Sequence, residues 1–439
     1  MTSGRPKMRE YFAILLLIGI IGHIAYYVVR DGPGHLRSTF APALGVRIPY
    51  PVNSVCHVVA PVVLFGAAWV GTVPAYIVAV LVFTAWLMCQ PHRLSNHLAL
   101  SWMALTSLVF AASEPATAMR WLLAILYLSA AAIKANREFL SAEVSAAKFM
   151  LRRYAARMSF AAPEPVVRVA PWAAVLSETG IGVLLLAPGG LWPAFVLAAA
   201  VHLAFGMLGN FHFSLLVLAP WALALSADGR LDGVVIAGTV AAVIAGGLCG
   251  RFLTSAEVFS HRRAGRWVNA TLGAAYGAVC VGITGTAHPS TPVVHVAALA
   301  PIVLGGLNFG LLLVGVKSEW AFSMFSNTRP FWTGRIAGVP VLWRETYFHV
   351  ILPSDVIASI ETPAHLRSKI SDRTSVFSAP MAAELRRLAP ERIVLRRARL
   401  DKDRMVFVPD EPGVADLPKR GIFRHPPILP RDLSLPYYG

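Results

Sequence analysis

The stretch Trp121–Leu122–Leu123–Ala124–Ile125–Leu126–Tyr127–Leu128–Ser129–Ala130–Ala131–Ala132–Ile133–Lys134 decides the fold. It belongs to an apolar block over residues 119–135, long enough to cross a hydrocarbon core as a helix. From Trp121 onward its one charge is Lys134, near the end. An ionisable group at membrane depth is costly, so Lys134 is a functional-site candidate by default. The competing reading is a lysine snorkelling to the interface from a helix end. His97 opens the preceding apolar block and is the second polar landmark.

Outward from this block the same pattern repeats. Apolar segments cover roughly 11–29, 53–70, 73–89, 97–113, 119–135, 170–187, 191–208, 212–226, 232–249, 268–284 and 292–316. With 56% hydrophobic and only 14% charged residues, and a mean hydropathy of +0.60, an ordinary soluble domain is excluded. The predicted fold class is an all-α polytopic membrane helical bundle of about 10–11 spans over residues 1–316. The expected location is a plasma membrane, crossed several times. The first segment lies between Arg9 and Arg30 without a small-residue cleavage site, so it reads as a retained span. The segment 213–225 is short enough to be re-entrant.

The connections at 71–72, 188–190 and 209–211 are short and join antiparallel neighbours. The connection 136–169 is long and basic, and Ala142–Arg157 is predicted as an amphipathic helix on the membrane surface. After Val316 the character changes. Residues 317–439, with 19 Lys+Arg and 13 Asp+Glu, are predicted to form a small, basic C-terminal α/β extension. Met381–Leu388 reads as a helix, Arg392–Val394 and Met405–Val408 as strands, and Pro426–Pro436 as extended chain. Trp320, Phe322 and Met324 follow the last span without a linker and should pack on the membrane domain. The rest of the extension has too few apolar blocks to fold readily alone.

The formal charge of +16 does not point to nucleic acid. The basic residues lie mostly in loops and the tail, where they orient the chain and meet anionic lipid. No aromatic–basic interleaving of the kind that stacks bases occurs. Cys56, Cys89, Cys249 and Cys280 are far apart, form no CxxC, and show no metal-ligand spacing, so no metal is expected. There is no HExxH, GxSxG or GxxxxGK[ST].

The polar residues inside the spans converge instead. In the hairpin turning near Glu114–Thr117, His97 and Lys134 are each about 18 residues from the turn, at about 1.5 Å per residue. Antiparallel packing brings them to one end. In the next hairpin Glu178 and His202 lie at similar distances from Gly189, Glu178 nearer the midplane. His23 and His212 fall on the same side. Each has a plain alternative: Asn96 can cap a helix start beside His97, His202 or Glu178 can be satisfied within the bundle, and His23 and His212 singly read as structural. Burial disfavours a charged amine, which suits a general base, and a neighbouring histidine can share a proton or donate to an oxyanion. An unpartnered lysine would also be dispensable to the fold, so Lys134→Ala is expected to leave stability nearly intact.

At these residues the chain resembles the membrane domain of vitamin K-dependent γ-glutamyl carboxylase and its bacterial relatives, the horizontally transferred transmembrane domain (HTTM) group. The pieces, in family order, are Ser95–Asn96–His97–Leu98, Tyr127–Leu128–Ser129–Ala130–Ala131–Ala132–Ile133–Lys134, Leu176–Ser177–Glu178, Val201–His202–Leu203, Gly209–Asn210–Phe211–His212–Phe213 and Glu319–Trp320–Ala321–Phe322–Ser323–Met324–Phe325. They cover about residues 10–350. The resemblance implies a membrane enzyme in which Lys134 is the base that deprotonates a reduced quinone of menaquinone or phylloquinone type, with His97 beside it. Asn96, Glu178, His202 and His212 would border the quinone. Dioxygen, and carbon dioxide or bicarbonate, would be co-substrates. His212 departs from the family, which usually has glycine there. The tail is also far smaller than the carboxylase's extramembrane region, which argues against peptide carboxylation.

Two other classes stand beside the enzyme. One is a non-catalytic membrane factor for maturation or export of a partner peptide. The other is a transporter, against which stand the missing inverted repeat and paired broken helices. Expected partners are the lipid bilayer and a peptide or small-molecule substrate. Orientation stays open: the basic loops put the reactive end in the cytoplasm, the resemblance puts it outside.

Overall fold

A computed structural model gives the architecture. It describes residues 5–31, 50–88, 96–140, 145–157, 159–207, 211–227, 233–253, 263–287 and 298–313, and in the C-terminal part 335–336, 339–340, 346–359, 367, 370–371, 375–388, 392–401, 404–412, 417 and 428–430. Each of the apolar segments carries a helix among its described residues: α1 Arg5–Asp31, α2 Tyr50–Val70, α3 Val73–Met88, α4 Asn96–Phe110, α5 Pro115–Lys134, α8 Glu164–Leu186, α9 Leu191–Phe205, α10 Phe211–Ala224, α11 Gly233–Leu248, α12 Arg263–Thr286 and α13 Leu299–Leu313. The long basic connection supplies α6, Arg137–Leu140, and α7, Ala146–Arg157. Four helices are long and apolar enough to cross a membrane, at Met8–Ala25 of α1, in α5 and α8, and at Trp267–Thr286 of α12.

The ends of α5 follow from its sequence. Pro115 fits a first helical position, where its missing N–H costs nothing. At the other end the Asn136 amide donates to the Ile133 carbonyl at 2.8 Å, while its oxygen accepts the Phe139 N–H at 2.8 Å. One side chain thus ends α5 and caps α6. Of the helix expected over 142–157, α7 spans Ala146–Arg157 and packs on α8, where Ala146 and Met150, with Phe139 of α6, meet Ala174 and Val175.

α10 is the centre of the bundle. It packs against α1, α4, α5, α9 and α12, and almost every residue from Phe211 to Ala224 is buried. A helix apolar all round has to be enclosed. Its 14 residues span only about 21 Å, short of a bilayer core, so its role is to be surrounded. Outer faces are apolar as well. On α2, Val55, Val58, Val62, Phe65 and Trp69 form an exposed stripe at helical spacing, with Trp69 82% exposed. Val169, Trp172, Leu176 and Val183 do the same on α8.

α11 and α12 approach until their backbones touch. A Cβ on Gly246 would collide with the Gly273 carbonyl, and one on Gly277 with the Ala242 carbonyl. Ala242, Gly246 and Gly250 recur every fourth residue, as do Gly273 and Gly277, giving facing small-residue stripes of the kind that lets membrane helices pack closely.

Arg120 does structural work that its position in an apolar helix disguises. Its Nε donates to the Leu185 carbonyl and its Nη2 to the Ala187 carbonyl at 2.9 Å, so it satisfies an orphan carbonyl in the last turn of α8 and adds a second bond at the turn that follows. Arg120→Met should lower thermal stability in detergent by about 3 kcal/mol, from two bonds to a charged donor. A melting temperature equal to that of the parent would contradict this role.

The C-terminal part holds a five-stranded antiparallel sheet of order β6-β5-β3-β4-β7. The strands are β3 Tyr347–Ile351, β4 Ser375–Ser378, β5 Val394–Asp401, β6 Arg404–Pro412 and β7 Ile428–Pro430. A separate short pair joins β1 Arg335–Ile336 to β2 Val339–Pro340. Two helices accompany the sheet: α14 Ser354–Ser359, and α15 Ala379–Leu388, which packs on β3 and β4. Phe348, Val350, Phe377, Met381, Ala382 and Leu385 make a core here, where a poor one was expected. The expected helix and the 405–408 strand are present. The expected strand Arg392–Val394 is displaced: β5 begins at Val394 and runs through Arg396, Arg397 and Arg399, whose charges mask a strand register visible only once β3 pairs with it. Arg392 instead forks onto the Asp355 carboxylate at 2.8 and 2.9 Å, holding that carboxyl below its usual range. Of Pro426–Pro436, residues 428–430 are extended as β7. Trp320, Phe322 and Met324 lie outside the described residues.

Candidate functional site

Lys134 ends α5 and Glu178 lies within α8, and their side chains form a bidentate ion pair. The ammonium donates to Oε1 at 2.8 Å and to Oε2 at 2.9 Å. Both are buried, at 5% and 4% exposure, which rules out a lysine snorkelling into water. Helix polarity explains why residues expected at different depths meet. Side chains lean toward the N-terminus of their own helix, and α5 and α8 run antiparallel, so the two lean toward each other. Close approach is allowed by Gly182, one turn beyond Glu178, where a Cβ would stand 2.5 Å from Leu128 Cγ.

A hydrogen-bonded chain lies beside the pair. The Tyr127 hydroxyl is 2.8 Å from His202 Nε2, and the Trp221 indole N–H donates to the Tyr127 oxygen at 3.2 Å. With its oxygen already accepting, Tyr127 donates to Nε2, which puts the proton of a neutral His202 on Nδ1. That Nδ1 is buried without a hydrogen-bond partner among the described residues. His202 and Tyr127 lie within electrostatic range of Lys134 and Glu178. The His202 carbonyl accepts from Ser214 Oγ at 2.8 Å, fastening α9 to α10. The chain turns with π geometry at 206–207, one turn beyond His202, a feature common at functional sites.

The other histidines assemble separately. His23 of α1, His97 of α4 and His212 of α10 meet at tilted angles in one buried group, with ring centroids 4.6 Å apart for His97–His212, 5.0 Å for His23–His97 and 6.0 Å for His23–His212. Each offers a ring nitrogen, and these nitrogens lie within 4.8 Å of one another. Phe213 stands between the two sets, edge-on to His97 at 5.1 Å and tilted to His202 at 5.8 Å.

The expected single cluster around Lys134 is therefore organised as two. Lys134, Glu178 and His202 form the first, with Glu178 a direct partner and not merely a border. His97, paired with Lys134 on the sequence, has His212 and His23 as its ring neighbours, and Asn96 opens α4 beside it with Oδ1 buried. Tyr127 and Trp221 are functional candidates that sequence reasoning did not single out. Tyr127 was visible two turns before Lys134 on the same helix face, but nothing in the sequence linked Trp221 to it. A crevice between α4, α5 and α13, lined by Met103, Ser129, Gly305 and Asn308 among others, reaches neither Lys134 nor His97.

No protein-family model, curated protein or solved structure matches this chain.

Proposed function

We propose that this is a multi-pass plasma-membrane enzyme that takes a proton from a lipid-soluble phenol, a reduced quinone, at the Lys134–Glu178 pair. The observation that carries the reading is that buried pair set beside His202, whose Nδ1 has no partner among the described residues. Membrane residence is supported by the exposed apolar stripes of α2 and α8, which would be a liability in water, and by the small-residue contact of α11 with α12.

The pair accepts one proton in balance. Lys134 passes its proton to the Glu178 carboxylate, then takes one from the quinol hydroxyl. The result is a neutral Glu178 and an ammonium facing the quinolate. His202 Nδ1–H donates to that oxyanion, and Tyr127 fixes its tautomer. Dioxygen is the oxidant: quinol plus dioxygen gives quinone epoxide and water. The resemblance to the carboxylase suggests this reaction, with or without carboxylation of a further substrate.

The test is the full-length protein in lipid with reduced menaquinone or phylloquinone, following oxygen uptake and epoxide. Lys134→Ala should lower turnover by about 10²–10⁴-fold, the usual contribution of a positioned base. His97→Ala, in the neighbouring set, should cost less. A second reading, the non-catalytic maturation factor, draws on the closure of the pair, since both Glu178 oxygens already hold the ammonium. No reaction with either quinol, while the protein still serves its biological role, would favour that second reading.

A further inference from the structure

We infer that His23, His97 and His212 form a binding site for a late first-row transition metal ion, separate from the proton-handling pair. Three imidazoles from three helices, α1, α4 and α10, converge in the interior at 4%, 5% and 1% exposure. Their nitrogens fall within 4.8 Å of one another. Nitrogens held 2.0–2.1 Å from one tetrahedral ion stand about 3.4 Å apart, so rotamer adjustment of about an ångström closes the set. The meeting of the helices is built in. A Cβ on Gly19, one turn before His23, would stand 2.7 Å from Leu216 Cδ2 and 3.1 Å from Leu216 Cα, so a larger residue would push α1 off α10 beside the trio. Ser101 Oγ bonds the His97 carbonyl at 2.8 Å at the start of α4.

The donor set selects the ion. Imidazole nitrogen suits zinc, copper, iron and nickel, and not calcium or magnesium, which require oxygen. Three protein ligands leave a fourth position for water or substrate, the arrangement of open metal sites. The three ligands are neutral in an apolar interior, where uncompensated charge is costly. The site therefore favours a monovalent ion such as Cu⁺, or a divalent ion whose fourth ligand is an anion. Sequence spacing gave no sign of this site because the three ligands come from helices far apart in the chain.

The experiment uses the full-length protein with a histidine-free tag, in lipid nanodiscs, stripped with chelator and reloaded with Zn²⁺ or, under reducing conditions, Cu⁺. Metal per chain is read by mass spectrometry after desalting. About one ion per chain of at least one of the two should be retained. His23→Gln, His97→Gln and His212→Gln should each reduce retention at least about tenfold, as even loss of an outer-shell partner does at metal sites. His202→Gln, equally buried but outside the trio, should retain the metal. The parent also carries the test if variants fail to fold. Metal bound only to the folded state should raise its melting temperature, and Co²⁺ should give the intense visible bands of a four-coordinate nitrogen site. Failure of the parent to retain either ion overturns the inference. So does equal retention in the triple variant, which would mark adventitious binding elsewhere. Quinol turnover is not a readout here, so failure of the proposed function leaves this result standing.

Discussion

Lys134→Ala should destabilise the protein by about 3–5 kcal/mol in addition to removing turnover, because it leaves the Glu178 carboxylate buried without its partner. This reverses the expectation from sequence, in which an isolated lysine could be deleted at little cost to the fold. The contact is bidentate, at 2.8 and 2.9 Å, and both residues are nearly sealed. The double variant Lys134→Met, Glu178→Leu removes both charges and replaces them with apolar groups of similar volume. It should return to within about 1–2 kcal/mol of the parent, because such replacements of buried pairs are often neutral or stabilising. It should have no quinol-dependent oxygen uptake. Thermal unfolding in nanodiscs, run beside the oxygen assay, separates the two effects. A single variant as stable as the parent would show that the pair is not formed. A double variant that still turns over would remove Lys134 from the chemistry.

Gly273→Leu should be the most damaging single change in the helical part outside the polar site. Its Cβ would fall on the Gly246 carbonyl, and backbone cannot yield as a flexible side chain does. Overpacking commonly costs about 1–3 kcal/mol, and here the clash is with main chain across the α11–α12 contact, so the upper end or beyond is expected. Gly246→Leu should behave alike, since its Cβ would meet the Gly273 carbonyl. Gly306→Ala on α13 is the control. Its Cβ would meet nothing within 4 Å, and alanine gains up to about 1 kcal/mol of helix propensity over glycine. Folded yield and melting temperature of the three variants decide the matter. Equal stability of Gly273→Leu and Gly306→Ala would refute the close approach of α11 and α12.

Much of the architecture was legible in the sequence because one-dimensional patterns determine it. Apolar blocks without charge become helices wherever the backbone must satisfy itself, so segments from Tyr11–Val29 to Leu299–Leu313 were readable. The short turn near Gly189 dictated that Glu178 and His202 face across an antiparallel hairpin. The turn near Glu114 likewise placed His97 and Lys134 at one end. Which of these groups touch was decided only by tertiary structure. Helix rotation directs Lys134 to Glu178 and gathers His97 with His23 and His212, and a rotation about a helix axis leaves no trace in the spacing of apolar residues. The tail was least legible: Arg396, Arg397 and Arg399 hide β5, whose place depends on pairing with a strand almost fifty residues earlier. Depth along a helix is written in residue number, whereas the partner across the core is set by packing of the whole bundle.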